Sequence, residues 1–134
     1  MMAEESAKQD VQIGHEMNDG TIYAGTSPDT LKPMCARPRD ESGIYSFNEA
    51  AKHAKDVGGG FRVPSEGELN VLWENRNEGK LKGTFNETGS YPAGWYWSST
   101  PDYNDYLAWG QCFSDGNQDI HFRDADSFSL RLVR

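Results

Sequence analysis

Gly94-Trp95-Tyr96-Trp97-Ser98-Ser99 is the stretch whose reading decides the fold. Strand geometry puts Trp95 and Trp97 on one face, and the period-two pattern continues to the end of the chain. Ala108-Trp109-Gly110-Gln111-Cys112-Phe113, then Gln118, Ile120 and Phe122, then Ser129-Leu130-Arg131-Leu132-Val133 read as three further strands. Ser114-Asp115-Gly116-Asn117 supplies turn chemistry for a hairpin between the second and third. Trp109 and Phe113 share a face. With Trp95 and Trp97 they are expected in the core, each ring contributing about 2–3 kcal/mol by burial. If Ile120 and Phe122 point inward, then Asn117, Asp119, His121 and Arg123 point outward side by side.

Upstream of these strands lie two helices, each with its own start signal. Ser46-Phe47-Asn48-Glu49 and Ser65-Glu66-Gly67-Glu68 are both capping boxes. Phe47, Ala50, Ala51, Ala54 and Val57 fall on one face of the first, which Gly58-Gly59-Gly60 stops. Leu69, Leu72 and Trp73 form the stripe of the second, with Gly79 as its expected end. Before the helices, Thr21–Gly25 and Leu31–Ala36 read as two β segments around the Ser27-Pro28-Asp29-Thr30 turn. Pro33 and Pro38 keep the second segment at a sheet edge or out of regular pairing. Strands, two helices and a β meander argue an α+β fold. Residues 1–12 are polar and read as a flexible tail, with one domain over residues 13–134.

Composition narrows the function. The 134 residues carry a formal charge of −8, which repels phosphate backbones and anionic membranes, so no nucleic-acid partner is expected. No stretch has the apolar length of a membrane span, and Met1-Met2-Ala3-Glu4-Glu5-Ser6 lacks a signal-peptide core. Membrane insertion is not expected, and synthesis is placed in the cytoplasm. Cys35 and Cys112 are the two cysteines, in no CxxC pair; free thiols are expected, with a disulfide between them left open.

Catalysis finds no motif. His15, His53 and His121 are not in metal-ligand spacing; His53 is expected on a solvated helix face and His121 on a strand surface. Asp115, Asn117 and Asp119 imitate the start of a calcium loop, but Ile120 replaces its glycine and Asp126 its final glutamate. Ser98 and Ser99 adjoin no strand-to-helix elbow, and Gly58-Gly59-Gly60 follows a helix instead of opening one. The expectation is no enzyme, no metal and no cofactor. The Asp102-Tyr103-Asn104-Asp105-Tyr106 segment offers binding chemistry instead, with rigid contact area from Tyr and adaptable hydrogen bonds from Asn. Charge usage also changes along the chain. Glu stops at Glu87 and Lys at Lys82, whereas Asp102, Asp105, Asp115, Asp119, Asp124 and Asp126 follow. The preference of turns for Asp accounts for part of this.

Phe61-Arg62-Val63-Pro64-Ser65 with Glu68-Leu69, the Trp95–Ser99 run, Ala108-Trp109, Phe113-Ser114-Asp115-Gly116 and Leu130–Arg134 together resemble the bacterial collagen-like-adhesin C-terminal domain family. The resemblance covers roughly Gly20 to Arg134. It implies a C-type-lectin-like fold, related to the formylglycine-generating-enzyme-like fold: paired terminal strands, two helices and a small antiparallel sheet beneath a ligand-facing surface. In that fold, variable proteins of diversity-generating retroelements mutate their C-terminal strands and loops through adenines of Asn-type codons. Such codons cannot become Glu, Lys, Gln, Met or Trp. The resemblance thus implies a ligand-binding surface of Tyr103, Asn104, Asp105, Tyr106, Cys112, Asn117, Asp119, His121, Arg123, Asp124 and Asp126. Trp95, Trp97, Trp109, Gln111 and Gln118 would be fixed framework. The calcium motifs of sugar-binding lectins and the paired cysteines of the formylglycine-generating oxidases are missing from the sequence.

The resulting expectation is a receptor-recognition module, diversified by a retroelement, for a protein or other macromolecular ligand. A fixed-ligand adhesin-type domain of the same fold, and a metal-dependent enzyme using copper or calcium, stay open as alternatives. So do ligand identity, oligomeric state and final location in cytosol, cell surface or virus particle.

Overall fold

Both capping boxes form in the computed structural model, which describes residues 11–134. Ser46 Oγ accepts from the Glu49 N–H and the Glu49 carboxylate accepts from the Ser46 N–H, opening α1 (Phe47–Val57). Ser65 and Glu68 repeat the exchange at α2 (Glu66–Glu74). These reciprocal bonds satisfy N–H groups that a helix start otherwise leaves unpaired. Ala50 and Ala54 are the buried residues of α1, while Ala51, expected on the same face, is exposed. Helix α2 stops at Glu74, short of Gly79. There Asn75 Nδ2 turns to the Ala24 carbonyl (2.8 Å) and Arg76 Nη1 donates to the Trp73 carbonyl (2.8 Å). Gly79 begins a single 3-10 turn, Gly79–Leu81.

The N-terminal hairpin pairs β1 (Ile22–Thr26) antiparallel with β2 (Pro33–Ala36). Pro33 takes the first position of β2, where the missing N–H costs least. The larger sheet has β3 (Trp95–Pro101), β4 (Leu107–Cys112) and β5 (Gln118–Phe122) in that order, all antiparallel. Two helices and two small antiparallel sheets make the fold α+β. Residues 1–10 of the expected tail lie outside the described residues, while Gln12 already accepts a hydrogen bond from the His15 N–H.

Strand β3 divides the core. Tyr96 packs with Phe85 and Phe113, and this side also holds Ile22, Met34, Leu69, Leu72 and Leu81. Trp95 and Trp97 face Phe128, Leu130, Leu132, Ala50 and Ala54. Trp97 is fully buried, lies 4.5 Å from the Phe128 ring centre and donates its indole N–H to the Tyr45 carbonyl (2.7 Å). Gly110 sits opposite Trp97 in the ladder. A Cβ there would come within 3.3 Å of the Phe128 ring and 3.1 Å of the Tyr96 carbonyl, so the absent side chain permits the close approach of Phe128.

The fourth strand expected over Ser129–Val133 is not a strand. Its backbone is shared among separate partners: Ser129 with Trp95 and Trp97, Leu132 with Arg37, and Val133 with Arg62. No single neighbour runs beside it long enough to build a ladder. It acts as a strap across β2, the segment before α2 and the outer edge of β3.

Glu68 does more than cap. Its carboxylate is buried, and it receives the Arg62 guanidinium through both oxygens, the Ser27 hydroxyl (2.6 Å) and the Ser65 N–H (2.9 Å). Burial works to raise its pKa, but those donors outweigh it and hold the carboxyl at about 2. Because the folded value lies below the ordinary 4.5, the stabilisation is complete above that pH and is lost as pH falls toward 2. Glu68→Gln should lower the melting temperature at neutral pH and make acid unfolding less steep over this window, as read by circular dichroism melts at stepped pH.

Candidate ligand-binding surface

Short polar side chains fold the loop between β3 and β4. Asn104 Oδ1 accepts from the Tyr106 N–H (3.0 Å), and Asp102 Oδ2 accepts from the Asn104 N–H (3.3 Å). These contacts make turns without a packed core, so the tyrosines are free to project. Tyr103 is 98% exposed and Tyr106 73%. Arg123 ties the end of β5 to this loop. Its N–H donates to the Tyr106 carbonyl (2.9 Å), its Nη1 to the Asp105 carbonyl (3.1 Å), and its guanidinium lies 4.5 Å from the Phe47 ring centre. Tyr103, Asn104, Asp105, Tyr106, Arg123 and the exposed Asp124 thereby meet at one end of the sheet. Asp126 stands in the same turn, accepting from the Tyr91 hydroxyl (2.7 Å) and the Phe122 N–H (2.9 Å).

The remaining candidates are elsewhere. Asn117 is exposed in the β4–β5 turn, roughly 20 Å from Arg123 at the rise of an extended chain. Gly116 beside it has φ +83, and a Cβ there would fall 2.5 Å from the Trp73 ring, so α2 presses directly on this turn. Asp119 is exposed midway along β5. Cys112 corrects the expectation of a surface position: it is 4% exposed and pairs with Trp95 across the ladder. Both cysteines are free thiols, with Cys35 half-buried.

The faces of β5 are also the reverse of those expected. Ladder register sets Ala108 opposite His121, Trp109 opposite Ile120 and Leu107 opposite Phe122. His121 therefore turns inward, 4.5 Å from Trp95 and 4.9 Å from Phe128, ring centre to ring centre. Phe122 points outward and is 60% exposed, with Ile120 half-buried. Alternation dictates only that neighbours face opposite ways; the partner strand decides which way is in. Trp109 belongs to the outward face too and is half-buried, outside both core clusters. Arg123, expected outward, is half-buried against Phe47, and His53, expected solvated, is half-buried with Nε2 2.8 Å from Glu41 Oε1.

Leu107, Trp109, Ile120 and Phe122 thus form an apolar strip on the outer face of the sheet. Cover is greatest at the far end, where Gln111 donates to Asn70 (2.9 Å) and Gln118 to the Glu66 carbonyl (3.0 Å), both on α2. It thins toward Phe122, beside the tyrosine loop. The sequence did hold a signal for this face. Trp109 shares parity with Gln111, and Ile120 with Gln118, and polar residues on a common face argue against a uniform core.

The electrostatics of this region are one-sided. Elsewhere Asp19, Asp40, Glu41, Asp56, Glu68 and Glu87 each have an Arg or Lys partner, while Glu16, Asp29, Glu49, Glu66, Glu74 and Glu78 have none among the described residues. Among the described residues, Asp102, Asp105, Asp115, Asp119, Asp124 and Asp126 have none; the one ion-pair contact in this set is Asp126 with His121 at 3.8 Å. An open groove of about 680 Å³ lies across the molecule from Phe61 and Lys55 to Asp29, lined also by the engaged Arg62 and Glu68, and includes none of the candidate residues. Among the described residues, no three His, Cys, Asp or Glu side chains gather into a metal-binding group, and no helix is long and apolar enough to cross a membrane. No family model and no curated protein matches the chain.

His121 Nε2 is buried without a hydrogen-bond partner. Burial lowers its pKa, against the opposing pull of Asp126 and Asp119. With the folded value below the ordinary 6.5, the unfolded chain takes up the proton first, so stability should fall as pH drops below about 6.5. In His121→Phe this part of the pH profile should vanish, with little loss of melting temperature at pH 7, because the substitution also removes an unmet polar atom. A second contrast tests the strand faces. Trp97→Ala should cost about 3–5 kcal/mol in chemical denaturation, and Trp109→Ala no more than about half of that.

Proposed function

We propose that this domain is a ligand-binding module with a C-type-lectin-like fold, displaying a retroelement-diversified surface on the β3–β4 loop and on the strand and turns that follow. The observation carrying the reading is the coincidence of residue usage with exposure. Glu and Lys are absent beyond Glu87, and the exposed positions of that region include Tyr103, Asn104, Asp105, Tyr106, Asn117, Asp119 and Asp124. Selection for contact area favours Tyr and Asn but has no physical reason to exclude Glu and Lys. A pyrimidine at the third codon position excludes both.

The fold supports the reading in two ways. Val133 and Arg134 at the C-terminus pair with Ala36 and Cys35 of the N-terminal hairpin, as the proposed fold requires. The sheet beneath the loop is held by buried rings, so side chains at its exposed end can change without disturbing the core. Cys112 and His121, packed inward, leave the variable set and join the framework. Arg123 and Asp126, which hold the loop and the Tyr91 hydroxyl, are constrained members of it.

The test lies in the surrounding DNA. A near-copy of the segment encoding about Trp95 to Arg134 should be found close by, differing almost only where the copy has adenine, next to a reverse transcriptase gene. Absence of both from a complete genome would remove the diversification and leave a fixed-ligand binding domain of the same fold.

A further inference from the structure

We infer that the partner of this surface is a basic protein segment carrying apolar side chains, docked over Phe122 on the outer face of the sheet between Trp109 and the tyrosine loop. The inference deepens the binding reading above and rests on it. Three observations lead to it.

The first is unpartnered apolar surface. Phe122 is more than half exposed, with Leu107, Trp109 and Ile120 as the half-buried floor of its strip, and the loop at the end of that strip projects Tyr103 and Tyr106, each more than half exposed. Aromatic side chains in such a position supply contact area at little entropic cost.

The second concerns the mode of docking. Strand β5 is the edge of its sheet, yet the Ile120 N–H is taken by Asp119 Oδ1 (2.8 Å) and the Phe122 N–H by Asp126 Oδ2 (2.9 Å). Occupied donors discourage a partner from adding as a further strand. Docking is therefore through side chains on the face.

The third is charge. In the loops at the end of the strip Asp102, Asp105 and Asp124, and along the β5 edge Asp119 and Asp126, lack an Arg or Lys partner among the described residues. Arg123, the cation beside the tyrosine loop, is engaged with the Asp105 carbonyl, Asn48 and Phe47. An acidic rim favours lysine and arginine on the partner and repels acidic ones. It also disfavours a second copy of this chain, whose formal charge is −8.

The experiment is selection of a phage-displayed random peptide library on the full chain at low salt, followed by anisotropy titration of the enriched peptides, dye-labelled. The expected peptides combine Lys or Arg with Trp, Leu or Phe. They should bind Phe122→Ser at least tenfold more weakly, although that variant melts as the parent does. The double variant Asp105→Asn with Asp124→Asn removes two charges that make no side-chain hydrogen bond within the domain, and should weaken binding several-fold at low salt but little at high salt. Basic peptides that bind Phe122→Ser as well as the parent would be held by general charge attraction and would overturn the proposal. Enriched peptides with no excess of Lys or Arg, lost on Tyr103→Ser or Tyr106→Ser, would overturn the basic partner while leaving the binding surface in place. No enrichment of any peptide would count against both.

Discussion

Arg131 carries a fully buried guanidinium, and the architecture is arranged to meet its donors. Asp40 Oδ1 accepts from Nε (3.0 Å) and Nη2 (2.8 Å), Thr84 accepts through its hydroxyl and its carbonyl, and the Arg37 carbonyl accepts from Nη1. Phe85 lies beneath, its ring centre 4.1 Å away. The other Asp40 oxygen accepts from the Tyr96 hydroxyl (2.6 Å), which accepts in turn from the Asn86 N–H. One charge group thus fixes the strap, the loop before α1, the loop before β3 and β3 itself. Burial pushes the Asp40 carboxyl up and the Arg131 guanidinium down, each countered by the other. Removing Asp40 would leave the fully buried Arg131 charge without its counter-ion, which costs more than the pair contributes by existing. The network specifies one arrangement of these segments more than it adds to stability.

From that arrangement the orientation of the sheet follows. The strap holds Ser129 against Trp95 and Trp97 and delivers Phe128 to the Trp face of β3. Tyr96 is drawn to the opposite side by Asp40 and Phe113. With β3 committed on both faces, register passes the commitment to β4 and then β5, one residue at a time. His121 arrives beside Phe128 and Phe122 arrives in water as a result. The apolar strip is thus a consequence of parity: once the inner face has its rings, the alternate residues of an edge hairpin have only α2 to cover them, and α2 reaches one end.

This gives the proposed binding surface a rigid base and a soft rim. The base is a two-sided core of aromatic rings. The rim is a loop shaped by Asp and Asn side chains and tethered by Arg123, so its exposed tyrosines can be exchanged without touching a core contact. Of the candidate residues, the loop ones were legible because Asp and Asn in turns act on backbone a residue or two away. The strip was marked only by Gln111 and Gln118 on the same face, because a Trp and an alternating Ile and Phe by themselves look the same whether that face is covered or bare.

What the sequence determined by itself is local. Two serines, each three residues before a glutamate, set the helix starts; Ser27–Thr30 and Ser114–Asn117 set the hairpins; the Trp-Tyr-Trp run set a strand with rings to bury. Each rests on bonds or steric limits spanning a few residues, which the chain carries wherever it folds. Tertiary structure alone decided that Glu68 also holds Arg62, that the C-terminal segment is a strap and not a strand, and that Cys112 and His121 face in while Phe122 faces out. In most of those cases the deciding partner lies far along the chain, from the Trp95 ring that meets His121 to the Asp40 carboxylate that meets Arg131. Burial is a property of the surfaces that meet, and a single strand's alternation carries no record of what will be laid against it.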